Sequence, residues 1–250
     1  INMDYTFNYY AEHNKNHIKS FNEYGVDGNF LQVFQYSKPN GVYEGQNNDT
    51  YNAFNFFGDY ERTFGKHYFK VMAGYQMELQ ENSSEYMYKD GMLSEDTYSF
   101  DNADGTIYAG EARTHWATMG FYTRMNWNYQ NTYFLELSGR YDGSSRFAPG
   151  HRWGFFPSGA VAWAISEEPF FKEWDQHVFD LLKLRASYGQ TGTENGVNRF
   201  GYLSTYSLDE KKIVIGGKLQ SGFSEGALVS PELLSWYQVN SFNLGLDMAF

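Results

Sequence analysis

The chain has 250 residues, with 30 Asp or Glu against 19 Lys or Arg and a formal net charge of −11; a balance this acidic repels phosphate backbones and sets nucleic acid aside as a partner. There is no cysteine, which removes disulfide frameworks and thiolate metal sites. Mean hydropathy is −0.61 and the longest nearly apolar run is about Gly159 to Ile165, far short of the roughly 20 apolar residues of a spanning helix.

A fifth of this polar chain is nevertheless aromatic. Strict alternation reconciles the two facts, each strand being apolar on one face and polar on the other. The first residue is Ile1 and no charged-then-apolar leader follows, so the sequence reads as a processed chain or an excerpt of a longer one.

The opening sets Ile1, Met3, Tyr5, Phe7, Tyr9 and Ala11 against Asn2, Asp4, Thr6, Asn8 and Tyr10. Within 53–63, Phe54, Phe56 and Tyr60 oppose Asn55, Asp59 and Glu61. The next run opposes Phe69, Val71, Ala73, Tyr75, Met77 and Leu79 to Lys70, Met72, Gln76 and Glu78. Phe121, Thr123, Met125, Trp127 and Tyr129 oppose Tyr122, Arg124, Asn126 and Asn128; Tyr133, Leu135, Leu137, Gly139 and Tyr141 oppose Phe134, Glu136, Ser138 and Arg140. Trp153, Phe155, Val161 and Trp163 share a face of 153–164, and Leu182, Leu184, Ala186 and Tyr188 oppose Lys183, Arg185 and Ser187. The chain closes with Phe242, Leu244, Leu246, Met248 and Phe250 against Asn243, Gly245 and Asp247. These are eight predicted strands, most of about 10 residues, the length that crosses a bilayer when tilted.

The connections sort by length. Tight turns are predicted at Phe64-Gly65-Lys66 and Gln130-Asn131-Thr132, and long connections at about 12–50, 81–114 and 190–235, with a middling one from Asp142 to Arg152. Serial antiparallel strands place alternate connections at opposite ends, so one end carries long loops and the other tight turns. A transmembrane β-barrel sorts its loops this way; a soluble sandwich has no reason to. The exception is Ser166 to Phe179, at the short-turn end, where Ser166 is expected to cap a brief helical turn with Glu167 and Glu168 in its first turn and Pro169 following. Aromatic residues bracket the turns (Trp127, Tyr129 and Tyr133; Phe64, Tyr68 and Phe69), as at a membrane interface. The charges on the polar faces, of mixed sign, belong in a watery lumen or against a plug.

The segment 116–174 carries RYDGSSRF (Arg140 to Phe147), RWGFFPS (Arg152 to Ser158) and WAISEEPF (Trp163 to Phe170), followed by LLKLRASYGQTG (Leu181 to Gly192) and the closing WYQVNSFNLGLDMAF. In that order these motifs closely resemble the SusC/RagA-like family of TonB-dependent outer-membrane transporters of Bacteroidetes. Gly159, Ala160, Thr193 and Tyr237 depart from the family's commoner residues, as changes of degree.

The resemblance implies that residues 1–250 are a middle-to-late slice, about eight spanning strands, of an all-β, antiparallel, 22-stranded outer-membrane barrel, with the plug domain and its TonB-contacting segment outside this chain. It implies import of glycans or peptides beneath a SusD-like surface lipoprotein, contact with outer-membrane lipid, no bond chemistry and no cofactor.

Candidate sites divide accordingly. Lumen residues Arg124, Glu136, Arg140, Lys183 and Arg185, with Trp116, are the residues expected to meet substrate, against the alternative that they pair with neighbouring strands or the plug. Of the loop aromatics Tyr36, Tyr43, Tyr86, Tyr98, Tyr108 and Trp116, most are expected to pack on one another rather than stack on sugar rings. His13 and His17 are four apart but sit in a polar stretch, and Asp101, Asp104 and Glu111 miss the EF-hand spacing, so no metal is expected. Glu167 and Glu168 read as helix-turn charge rather than an acid–base pair, and Ser144 and Ser145 lack a nucleophile-elbow context, their loop being one whose Asp and Arg bond locally. The Gly216-Gly217 pair lacks the Lys-Ser/Thr of a phosphate loop.

Two rival readings remain at this level. A soluble aromatic-rich carbohydrate-binding β module predicts folding without detergent and inward faces free of charge. A small outer-membrane barrel enzyme is allowed by eight strands but finds no catalytic constellation in the sequence.

Overall fold

A computed structural model describes residues 1–34, 40–94, 96–174, 178–225 and 233–250. The first half holds β1 (Asn2–Ile18), β2 (Phe21–Tyr24), β3 (Phe30–Phe34), β4 (Gly41–Phe64), β5 (His67–Asp90) and β6 (Ile107–Tyr129). The second holds β7 (Tyr133–Ser144), β8 (Trp153–Ala164), a short helix α1 (Pro169–Trp174), β9 (Leu181–Thr193), β10 (Tyr206–Ile215), β11 (Lys218–Glu225) and β12 (Tyr237–Ala249). Eight strands form one sheet in the order β1-β4-β5-β6-β7-β8-β9-β12, while β2–β3 and β10–β11 are separate two-stranded hairpins. The eight sheet strands are the eight read from the alternation.

The register keeps the two chemistries apart. Trp127 pairs with Leu135, Leu135 with Val161, Val161 with Ala186 and Ala186 with Leu244. One residue along, Asn126 pairs with Glu136, Glu136 with Ala160, Ala160 with Ser187 and Ser187 with Asn243. Because the side-chain period is two, a slip of one residue would put Glu136 and Arg185 among the leucines. One face is therefore continuously apolar and aromatic from β6 to β12, and the other is polar and charged. Phe69, Val71, Tyr75 and Met77 are not sealed in a protein core; all remain half-buried or exposed.

The strands exceed expectation in length. β4 and β5 have 24 residues each and β6 has 23. Their extensions run through 41–52, 80–90 and 107–115, stretches that the sequence suggested were long connections. The chain divides into two compact units, one of Ile1–Thr6, Ala53–Leu79 and Trp116–Phe250 and a second of Phe7–Asn52 and Gln80–His115. Within the second unit the ties are polar and aromatic: Gln80 donates to Asp49 at 2.8 and 3.0 Å, Asn82 to Asn47 at 3.1 Å, and the rings of Tyr43 and Tyr86 stack at 6.1 Å. Val42, Met92 and Ala103 form a small buried cluster beside Phe100. At the β2–β3 turn the Asn29 N–H and side-chain amide donate to Asp27, holding its carboxyl below the usual carboxylate range.

The tight turns fall where expected. Gly65 has φ 60°, and Gln130 and Asn131, in the three-residue loop between Tyr129 and Tyr133, have φ 51° and 57°, the left-handed backbone that fits a tight hairpin to strand twist. Gln130 N–H donates to the Lys66 carbonyl at 3.0 Å, tying the two turns together. Gly216 and Gly217 close the β10–β11 hairpin with φ 62° and 77°, so that pair is a turn. At the exceptional connection, a single 3₁₀ turn over Ile165–Glu167 precedes α1. Ser166 does not cap either: its hydroxyl is buried without a hydrogen bond among the described residues, and the carbonyl of Glu168 receives the N–H groups of Phe171 and Lys172.

At the long-loop end of the first unit the sequence motifs meet. Phe147 is fully buried and packs on Trp236 with ring centroids at 5.3 Å; Phe156 packs on the same indole at 5.4 Å. Trp236 Nε1 donates to the Arg152 carbonyl at 2.9 Å, and Arg152 Nε to the Phe147 carbonyl at 3.1 Å. Gly192 makes room for the Phe156 ring: a Cβ there would lie 2.1 Å from Phe156 Cζ. Gly192→Ala should therefore destabilise this knot by about 1–3 kcal/mol, read as a lower temperature for the loss of compact gel mobility by the intact receptor.

Candidate functional site in the charged face of the sheet

The charged face is built from alternate residues of adjacent strands, and most of its cations have local anions. Lys70 Nζ lies 3.3 Å from Glu61, which also accepts the Tyr68 hydroxyl at 3.0 Å. Arg124 lies 3.7 Å from Glu136, and Arg185 3.4 Å from Asp247. Lys183 sits over the Phe134 ring, 4.3 Å from its centroid. Gly245 opposes Arg185 in the register and leaves the space that its guanidinium crosses. Tyr122 reaches over Gly74 of β5 to donate to Asn55 of β4 at 2.7 Å.

The six residues expected to meet substrate fall into two groups. Glu136, Lys183 and Arg185 line a hollow of about 660 Å³ with Asn126, Ser187 and Asn243, and Arg124 joins them through Glu136. Asn126 Oδ1 is buried there with no hydrogen bond among the described residues. Trp116 and Arg140 line a second hollow, of about 270 Å³, with Glu78, Asp142, Glu194 and Trp236. Arg140 donates to Asp142 twice at 3.0 Å and lies over the Tyr122 ring.

Two residues of the second hollow, Glu194 and Trp116, are held by Arg146. Arg146 lies 3.1 Å from Glu194, donates to the Val197 carbonyl at 2.7 Å and covers the Trp116 ring at 5.7 Å. Glu194 and Val197 are 48 and 51 residues further on, a pairing that spacing cannot reveal. The two serines of that motif are structural. Ser145 Oγ accepts the Ala117 N–H at 2.9 Å, and Ser144 Oγ accepts the Arg146 N–H at 3.2 Å. The expectation that the Asp and Arg of the loop from Asp142 to Phe147 bond to each other is not met: Asp142 is held by Arg140, and Arg146 bonds across to the segment after β9.

The remaining candidates sit apart. His13 and Lys15 both pair with Glu44, and His17 packs on Tyr98 with ring centroids at 4.7 Å. Glu111 pairs with Arg113, while Asp101 and Asp104 are exposed. Among the loop aromatics, Tyr43 stacks on Tyr86, while Tyr98 packs at a tilt on His17 and Tyr108 on Tyr88; Tyr36 lies outside the described residues. Glu167 pairs with Lys172 at 2.8 Å, while Glu168 accepts both the Tyr133 hydroxyl and the Trp163 indole N–H. The two acids therefore face different partners.

The opposite face completes the picture. Tyr129, Tyr133 and Trp163 stand at the turn end, and Phe121, Tyr141 and Trp153 at the other, with Met125, Leu135, Leu137 and Val161 between. Ten residues from Trp163 to Trp153, at about 3.3 Å each and a tilt of about 40–45°, rise roughly 24 Å, the height of an outer-membrane apolar band. A sheet with such a band outside and charge inside is the wall of a transmembrane β-barrel.

Comparisons with known proteins agree. Residues 2–250 match the family described as TonB dependent receptor-like, beta-barrel, and the chain belongs to that family of outer-membrane receptor barrels. Over its whole length it is 30% identical to TonB-dependent receptor SusC of Bacteroides thetaiotaomicron, of which it covers 25%. Over 51% of its length it is 39% identical to TonB-dependent receptor P26 of Formosa agariphila, of which it covers 12%. The chain therefore spans about a quarter or less of these relatives. In fold it matches the RagAB peptide importer in its closed-closed state with a TM-score of 0.70 over 84% of this chain and 22% of that one, at 20% identity; against the open-open state the TM-score is 0.68.

Replacing Arg146 by Met leaves the half-buried carboxylate of Glu194 without its cation. The expected cost is about 2–3 kcal/mol, localised as faster amide exchange across 194–200. Arg146→Lys should restore little of it, because an ammonium cannot serve Glu194, the Val197 carbonyl and the Trp116 face from one plane.

Proposed function

We propose that this chain is the middle-to-late part of the barrel of a SusC-like, TonB-dependent importer of glycans or peptides. The observation that carries this reading is the continuous wall of mixed, locally paired charge backed by an unbroken apolar face. Such a wall suits a polar solute in transit. Exposed ion pairs contribute only about 0–1 kcal/mol each, so a hydroxyl or peptide group can displace one partner at little cost and release it as easily. The wall neither holds a solute tightly nor repels one sign of charge.

On this reading Trp116 and Arg140 offer the first contacts, and Arg124, Glu136, Lys183 and Arg185 the later ones. A plug domain elsewhere in the receptor fills the lumen, and TonB-driven movement of it opens the path. A SusD-like lipoprotein lies over the long-loop end and delivers the solute. Similarity to SusC along the whole chain supports the TonB dependence; the fold of the RagAB peptide importer supports the barrel geometry and keeps peptides beside glycans as cargo. The soluble carbohydrate-binding alternative leaves the apolar face without a purpose, since no soluble module of this size has reason to expose it.

The test is uptake by cells carrying the intact receptor. Labelled oligosaccharide and peptide pools should accumulate only when TonB and the adjacent lipoprotein are both present. The double variant Trp116→Ala, Arg140→Met should cut uptake several-fold while the amount of receptor in the outer-membrane fraction is unchanged. Uptake independent of TonB, or recovery of the receptor from the soluble fraction, would overturn the reading.

A further inference from the structure

We infer that the segment Ile165–Trp174 is an interfacial anchor, lying on the periplasmic leaflet of the outer membrane with Phe170 and Trp174 inserted among the lipid headgroups. The inference rests on the barrel reading above, and it concerns the one connection at the turn end that is not a tight turn.

The first observation is a tie. Glu168, which immediately precedes α1, accepts the Tyr133 hydroxyl and the Trp163 indole N–H through the same oxygen. Tyr133 and Trp163 are direct partners in the β7–β8 register and share the pleat of Leu135 and Val161, which is the apolar face. The tie therefore brings the helix to the lipid side of the wall and not to the lumen. It also meets the polar ends of two belt aromatics whose other ends need hydrocarbon.

The second is the helix's own pattern. Phe171 is buried, at 7% exposure, against Trp174 and Phe179, and Phe179 packs on Phe250 at 4.9 Å. Phe170 and Trp174 are four apart, so they share a stripe, and they are 59% and 73% exposed. Lys172 turns away from that stripe to pair with Glu167 at 2.8 Å. A six-residue helix with two large apolar groups exposed on one side gains nothing from facing water. Continuous with an aromatic belt, the same stripe meets the layer where Trp and Phe are favoured. The occupant of this surface is thus phospholipid, and the surface extends the lipid-facing band past the end of the strands.

The experiment places a nitroxide at Trp174→Cys, or at Phe170→Cys with Trp174 retained, in the intact receptor with no other cysteine. The receptor is held in nanodiscs of phosphatidylethanolamine and phosphatidylglycerol. Collisions with oxygen and with a water-soluble nickel chelate are compared with those at Lys66→Cys, in an exposed turn at the same end, and at Leu246→Cys, on the apolar face. The oxygen-to-nickel ratio at both helix positions should exceed that at Lys66 several-fold and fall short of that at Leu246. A ratio equal to that at Lys66 overturns the anchor, and so does low collision with both reagents, which would mean a covering protein. A water-like ratio at Leu246 would instead sink the barrel reading itself, so the two failures are distinguishable.

Discussion

Hydrocarbon offers no hydrogen bonds, and this single fact governs the sheet. Every backbone N–H and C=O at membrane depth has to be met by a neighbouring strand, so the strands from β4 to β9 pair in unbroken sequence order. Backbone pairing then fixes the side chains. Each strand shows alternate residues to lipid and to water, and the register carries Leu135, Val161, Ala186 and Leu244 on one side as firmly as Glu136, Ala160, Ser187 and Asn243 on the other. The aromatic belts, the charged wall and the tie at Glu168 all follow from which side of that pleat a residue occupies.

Most of this was written in the sequence because a two-faced strand leaves a period of two, and a bilayer makes the period strict. Where both faces meet water the period dissolves. Gln46, Asn47, Asn48 and Asp49 show no alternation, yet they lie in β4, held by side-chain bonds such as those of Asp49 with Gln80 and Asn47 with Asn82. The strand ends therefore could not be read, although the strands could. Ser166 misled for a different reason. A serine ahead of two acids looks like a helix cap, but the helix begins three residues later, at Pro169, and uses the carbonyl of Glu168.

The candidate site was legible as a face and illegible as a set of pairs. Arg124, Glu136, Arg140, Lys183 and Arg185 were assigned to one side by parity alone, and they lie there. Their division into two hollows depends on strand order and register, and the partnership of Arg146 with Glu194 depends on where a long connection returns. Spacing carries none of that information. Nor does it give the role of the glycines: Gly74, Gly192 and Gly245 are each the space taken by a large side chain from elsewhere, Tyr122, Phe156 and Arg185 respectively.

The aromatic knot of Phe147, Phe156 and Trp236 has a consequence for how such receptors diversify. It fastens the returning end of the connection between β9 and β12 to the rim, whatever lies in between. Once both ends of an excursion are pinned, lengthening it costs little, since closure entropy grows only with the logarithm of length. The β10–β11 arm can then change in length and sequence while the barrel strands keep their register.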